Sequence, residues 1–69
     1  MRITKHAKIR MQERGITMSH LQQAVSSGKR FPDRNNPTKK DCIVTKDIIC
    51  MVSKDDVLIT VFWNEKGRR

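Results

Sequence analysis

The sequence predicts an α+β fold, two N-terminal helices packed on a three- to four-stranded antiparallel sheet. Three observations carry that expectation. Two helix-length stretches without internal Gly or Pro are closed by Gly15 and Gly28. Beyond Gly28 the apolar residues change from helical spacing to short runs rich in Val and Ile. At 69 residues the chain makes one domain, so the helices' apolar stripes have only a sheet to pack against.

Thr4 is a good N-cap for a first helix over residues 5–14. Gly15 fits the left-handed position that ends it. On a wheel of about 100° per residue, His6, Ala7, Arg10, Met11 and Arg14 share an arc of about 140°. The more apolar side of this helix therefore carries a histidine and two arginines. Only Gly15, Ile16 and Thr17 link it to the next helix, which predicts a tight helical corner with Ile16 as a staple before the cap. The second helix, residues 18–27, has Thr17 as its cap and Met18, Leu21, Ala24 and Val25 as its expected core stripe.

Residues 29–34, around Phe31, suit a short edge strand, and residues 33–40, with Pro37, read as a mobile basic loop. Three strands follow at residues 42–45, 47–53 and 57–64, with turns at Lys46-Asp47 and Lys54-Asp55-Asp56. A further short strand at residues 2–4 also fits the pattern. The run Val57 to Trp63 is apolar at both alternations, which predicts a central strand buried on both faces, broken by Thr60. Residues 65–69 are expected to be a flexible basic tail of a single domain spanning 1–69.

Lys and Arg number 15 against 7 Asp and Glu, a formal charge of +8. Such a surface points to phosphate backbones, with Arg30, Arg34, Lys39 and Lys40 as the expected nucleic-acid contacts. No apolar stretch is long enough to span a bilayer, and the N-terminus lacks the apolar core of a signal peptide. We therefore expect a cytoplasmic protein without membrane contact, in which Cys42 and Cys50 are reduced thiols. The two would face each other across a hairpin whose turn centres on Lys46. Together with His6 and His20 they lack metal-ligand spacing, so no metal and no cofactor are expected.

His6, Arg10 and Arg14 stand at i, i+4 and i+8, stacked along one side of the first helix. An imidazole moves protons near neutral pH. Guanidiniums grip a phosphate with forked hydrogen bonds and stabilise charge building on it. Together they form a minimal kit for cleaving RNA through its own 2′-hydroxyl. The plainer alternative is that His6 caps or packs, while the arginines pair with Glu13, Asp41 or a backbone carbonyl. Thr60 either hydrogen-bonds a phosphate or is simply a β-branched strand residue. Phe62 and Trp63 either stack a base or pack in the core.

The segment His6-Ala7-x-x-Arg10-Met11-x-Glu13-Arg14-Gly15-Ile16, followed by Ala24-Val25-x-x-Gly28, resembles a family of short, uncharacterised bacterial and phage domains. Ile59-Thr60-Val61-Phe62 is similar to the end of that family's β-meander. The resemblance covers Ile3 to about Trp63. The plan of such domains is similar to the RelE/ParE and colicin-type ribonuclease toxins. It implies a metal-independent endoribonuclease, the toxin of a toxin–antitoxin pair, with His6, Arg10, Arg14 and Thr60 as catalytic residues. Its implied partners are RNA, in association with ribosomes, and an acidic antitoxin-like protein. The rival expectations are a non-enzymatic RNA- or DNA-binding module and a small protein-interaction domain. The late Tyr of many RelE-like toxins is missing, since the chain has no Tyr.

Overall fold

The computed structural model describes residues 1–65. Its elements are β1 (Arg2–Ile3), α1 (Lys5–Arg14), α2 (Met18–Ser27), β2 (Lys29–Pro32), β3 (Lys40–Val44), β4 (Ile48–Ser53) and β5 (Val57–Trp63). The expected basic tail lies outside the described residues from position 66 onward.

Both helices start and stop where local chemistry dictates. The Thr4 hydroxyl accepts the Ala7 N–H at 3.1 Å and donates to the Leu58 carbonyl at 2.9 Å, so it caps α1 and ties it to β5. Gly15 takes the left-handed conformation, with φ at 69°, and its N–H returns to the Gln12 carbonyl. At the start of α2, the Thr17 N–H donates to Nδ1 of His20 at 3.0 Å. His20 thus takes the part of the Glu or Gln in an ordinary capping box.

The sheet has five strands in the order β1-β5-β4-β3-β2. It is mixed, because β1 runs parallel to β5 while the other neighbours are antiparallel. The expected three- or four-stranded antiparallel sheet is therefore too small and misses the parallel edge. Both short segments that suited strands, at Arg2–Ile3 and Lys29–Pro32, pair with the sheet. The β2 edge is exposed along its length and carries Lys29, Arg30 and Pro32, residues that discourage further strand pairing.

One layer of helices covers one sheet face. Ala7, Met11, Leu21 and Ala24 close over Ile43, Ile48, Cys50, Val52, Leu58 and Val61, with Ile3 and Trp63 at the margin. Met18 and Val25, expected in that core, are 54% and 60% exposed. The register places a bulge at Ile59, since Val52 opposes Leu58 while Met51 opposes Thr60. That extra residue sets Leu58 and Val61, three apart, on the same buried face. Strand β5 is thus buried on one face only, and Phe62 emerges on the other at 37% exposure.

Ion pairs staple the end of the sheet away from the β3–β4 turn. Asp41, almost enclosed, accepts from Arg30 at 2.8 Å and from Lys54 at 2.5 Å. Arg30 also reaches Asp56 at 3.2 Å, and Asp56 meets the N-terminal amine at 3.6 Å. Asp56 sits in the left-handed region, at φ 66°, to close the β4–β5 turn. No described helix is long and apolar enough to cross a membrane.

Candidate functional site

Helix α1 brings three of the four expected catalytic residues to one flank. With Ala7 and Met11 buried, helical spacing sets Arg14, Arg10 and His6 progressively further round from the core. The flank lies along β5 where β1 no longer covers its edge. There Nη1 of Arg14 donates to the Val61 carbonyl at 3.1 Å. The Trp63 indole donates back to the Arg14 carbonyl at 2.6 Å, and its ring meets His20 edge-on at 5.1 Å. These bonds clamp the C-terminal end of α1 onto β5.

Arg10 holds Glu13 at 3.1 Å. Both side chains are substantially exposed, so the pair is weak. Arg14 gives one donor to Val61, leaving the others of its five N–H groups. The His6 side chain is exposed and has no hydrogen bond or ion pair among the described residues. Thr60 is not brought onto this flank. It opposes Met51 and so projects from the helix-free face, although Arg14 grips the carbonyl of the very next residue.

The four expected nucleic-acid contacts divide. Arg30 is committed to Asp41, Asp56 and the Ser53 carbonyl. Its pKa is raised above the usual arginine value, chiefly by the hydrogen bond to Asp41. Arg34 and Lys39 are exposed in the loop of residues 33–39. Lys40 begins β3 opposite Ser53, on the helix-free face. The Asn36 carbonyl accepts the N–H groups of both Lys39 and Lys40, which gathers that end of the loop.

The thiols do not face each other. Cys42 opposes Met51, and Cys50 opposes Ile43, so they lie on opposite faces. The β3–β4 turn centres between Lys46 and Asp47, half a residue from the Lys46 centre that would have aligned them. Burial pushes the Cys50 thiol up to about 11. Burial and then the neighbouring Asp33 raise Cys42 as well. Neither environment favours a nucleophilic thiolate.

Surface depressions of about 430, 240 and 290 Å³ lie along α2 and between the helices and β1. None of these three is lined by His6, Arg10, Arg14 or Thr60. The helix-free face gathers Thr60, Lys40 and Phe62, which were expected to act separately, together with Phe31, which was expected only as part of an edge strand. Phe31, 50% exposed, and Phe62 both stand on it, with Lys29 and Lys40 on the same face. Alternation in β2 and β3 hints at this, but only the cross-strand register puts the residues together.

No curated protein and no solved structure matches the chain. One protein-family profile matches residues 3–63, from the partner of Leu58 in β1 to the last residue of β5. The chain therefore belongs to the family described as a domain of unknown function (DUF4258).

Proposed function

We propose that this domain binds single-stranded RNA and cleaves it without a metal, using the α1 flank, as the toxin of a toxin–antitoxin pair with an acidic partner. The likeness in plan to RelE/ParE-type toxins belongs to this proposal. The observation that carries it is an exposed, unpartnered His6 beside Arg10 and Arg14, on a chain of net charge +8. His6 takes the proton of an RNA 2′-hydroxyl. The 2′-oxygen attacks the adjacent phosphorus, and the 5′-oxygen leaves and takes a proton from solvent. The products are a 2′,3′-cyclic phosphate and a 5′-hydroxyl. Arg10 leaves Glu13 to hold the phosphate, and Arg14 adds positive charge from the edge of β5.

A second reading, a non-enzymatic RNA-binding module, is favoured by one observation. Arg10 and Arg14 are already engaged, by Glu13 and by the Val61 carbonyl. Incubation of the protein with RNA, with and without chelator and with translating ribosomes, separates the two. The His6→Gln protein should lose about 10²–10⁴-fold in rate, the usual contribution of a general acid–base group, while keeping most of its RNA binding. Arg10→Ala should weaken binding and rate together, and Arg10→Lys should recover only part, since it restores charge without the fork. Full cleavage by His6→Gln sinks the catalytic scheme. Wild-type protein that binds RNA but never cuts it leaves the binding-module reading in its place.

A further inference from the structure

We propose that the helix-free sheet face is a stacking platform for unpaired RNA bases, with Phe31 and Phe62 as the stacking rings. The inference rests on the RNA reading above but uses a different surface from the α1 flank. The register lays two rows of side chains across this face. Phe62, Ile49, Val44 and Lys29 form one; Thr60, Met51, Cys42 and Phe31 form the other. Neighbouring strands are about 4.8 Å apart and a two-residue step along a strand is about 7 Å, so the rings stand roughly 16 Å apart on the diagonal. They would take two separate bases rather than sandwich one.

A sheet face left to solvent is ordinarily polar. Here it is apolar across its centre, with the largest exposed side chains at opposite corners. The charges around it choose the occupant. Lys29 ends one row, and Lys40 precedes Cys42 by two residues on the same strand and face. At the margin, among the described residues, the Asp33 carboxylate lies 3.8 Å from the Cys42 sulfur. Lysines beside flat apolar surface suit a chain that offers phosphates and aromatic bases together. A second copy of this chain would bring another +8 against the first. The Thr60 hydroxyl, in line with Phe31 across the sheet, can bond a sugar or base edge.

The test compares two short single-stranded RNAs of equal length, one with bases and one abasic throughout. Both carry the same phosphates, so their difference reads stacking alone. Wild-type protein should prefer the base-bearing strand by roughly 5- to 150-fold for each stacked base. Phe31→Ala and Phe62→Ala should each shrink that ratio, and Phe31→Leu should shrink it too, because it keeps apolar area without a ring. Phe62→Trp should preserve it, which separates loss of stacking from loss of fold. Equal wild-type affinity for the two strands overturns the platform and leaves RNA binding standing. Binding to neither strand overturns both. A dimer that forms without RNA and dissociates in Phe62→Ala would make a second copy the occupant and also overturn the proposal.

Discussion

Gly15 and Gly28 show how one residue type can be required for two different reasons. A glycine ending a helix usually supplies a positive φ, and Gly15 does so, at 69°. Gly28 has an ordinary extended backbone, at φ −69°. It is needed because a Cβ there would lie 2.5 Å from the Ala24 carbonyl oxygen and 2.5 Å from Cγ2 of Ile43. The absent side chain lets α2 descend onto β3. Gly28→Ala should therefore destabilise the domain by about 1–3 kcal/mol, the usual cost of overpacking. Urea unfolding followed by far-UV circular dichroism would show this as a lower midpoint with unchanged slope, whereas an unmoved midpoint would mean that the helix shifts freely. The stop signal at Gly28 was legible in the sequence. Its packing reason was not, because Ile43 is fifteen positions away and only the folded register brings it near.

At the scale of elements, helices were the legible part and strand neighbours were not. Thr4, Gly15 and Thr17 act within four residues of themselves, so the helix bounds follow from local chemistry. The parallel pairing of β1 with β5 joins residues more than fifty positions apart, and the bulge at Ile59 leaves no mark on an already apolar run. The same distance rule hid the fate of Arg30, which looked like a free cation but belongs to the Asp41 network. The candidate flank fared better, since His6, Arg10 and Arg14 share one helix, whereas Thr60 needed the sheet register to be placed. The network predicts acid behaviour. Hydrogen bonds from Lys54 first, then Arg30, hold the Asp41 carboxyl below its usual value of 3.8. A depressed folded-state pKa stabilises above the unfolded value, and that stability is lost as pH falls through the folded one. Strand β2 should thus loosen below about pH 4, seen as faster amide exchange at Arg30 and Phe31 after correction for intrinsic rates. Asp41→Asn should lower the melting temperature at pH 7 and flatten its fall with acid. An equally steep acid limb in that variant would place the sensitivity elsewhere.

For the whole molecule, what matters is where the surplus charge remains after folding. The described ion pairs use Glu13, Asp41 and Asp56, and engage Arg10, Arg30, Lys54 and the N-terminal amine. Arg2, Lys5, Lys8, Lys29, Arg34, Lys39, Lys40 and Lys46 enter no ion pair among the described residues. They are spread over β1, α1, the 33–39 loop, the β3–β4 turn and the helix-free face, so the field is broad rather than confined to one pocket. A single strand that ran from the α1 flank onto the sheet face would meet about four of them. Each phosphate neutralised on a single strand contributes roughly −0.7 to the slope of log K against log[salt], which predicts about −3 for RNA. Replacing Arg34 and Lys39 together should make the slope shallower by about 1.4 if both touch phosphate, because each contact contributes on its own. Arg30→Gln should leave the slope unaltered while lowering stability, since Arg30 spends its donors on Asp41, Asp56 and Ser53. Fluorescence anisotropy of a labelled single-stranded RNA between low and physiological salt measures all three slopes. A flat response in the wild type would remove nucleic acid from consideration. A shallower slope in Arg30→Gln would show that this guanidinium leaves its carboxylates when RNA arrives.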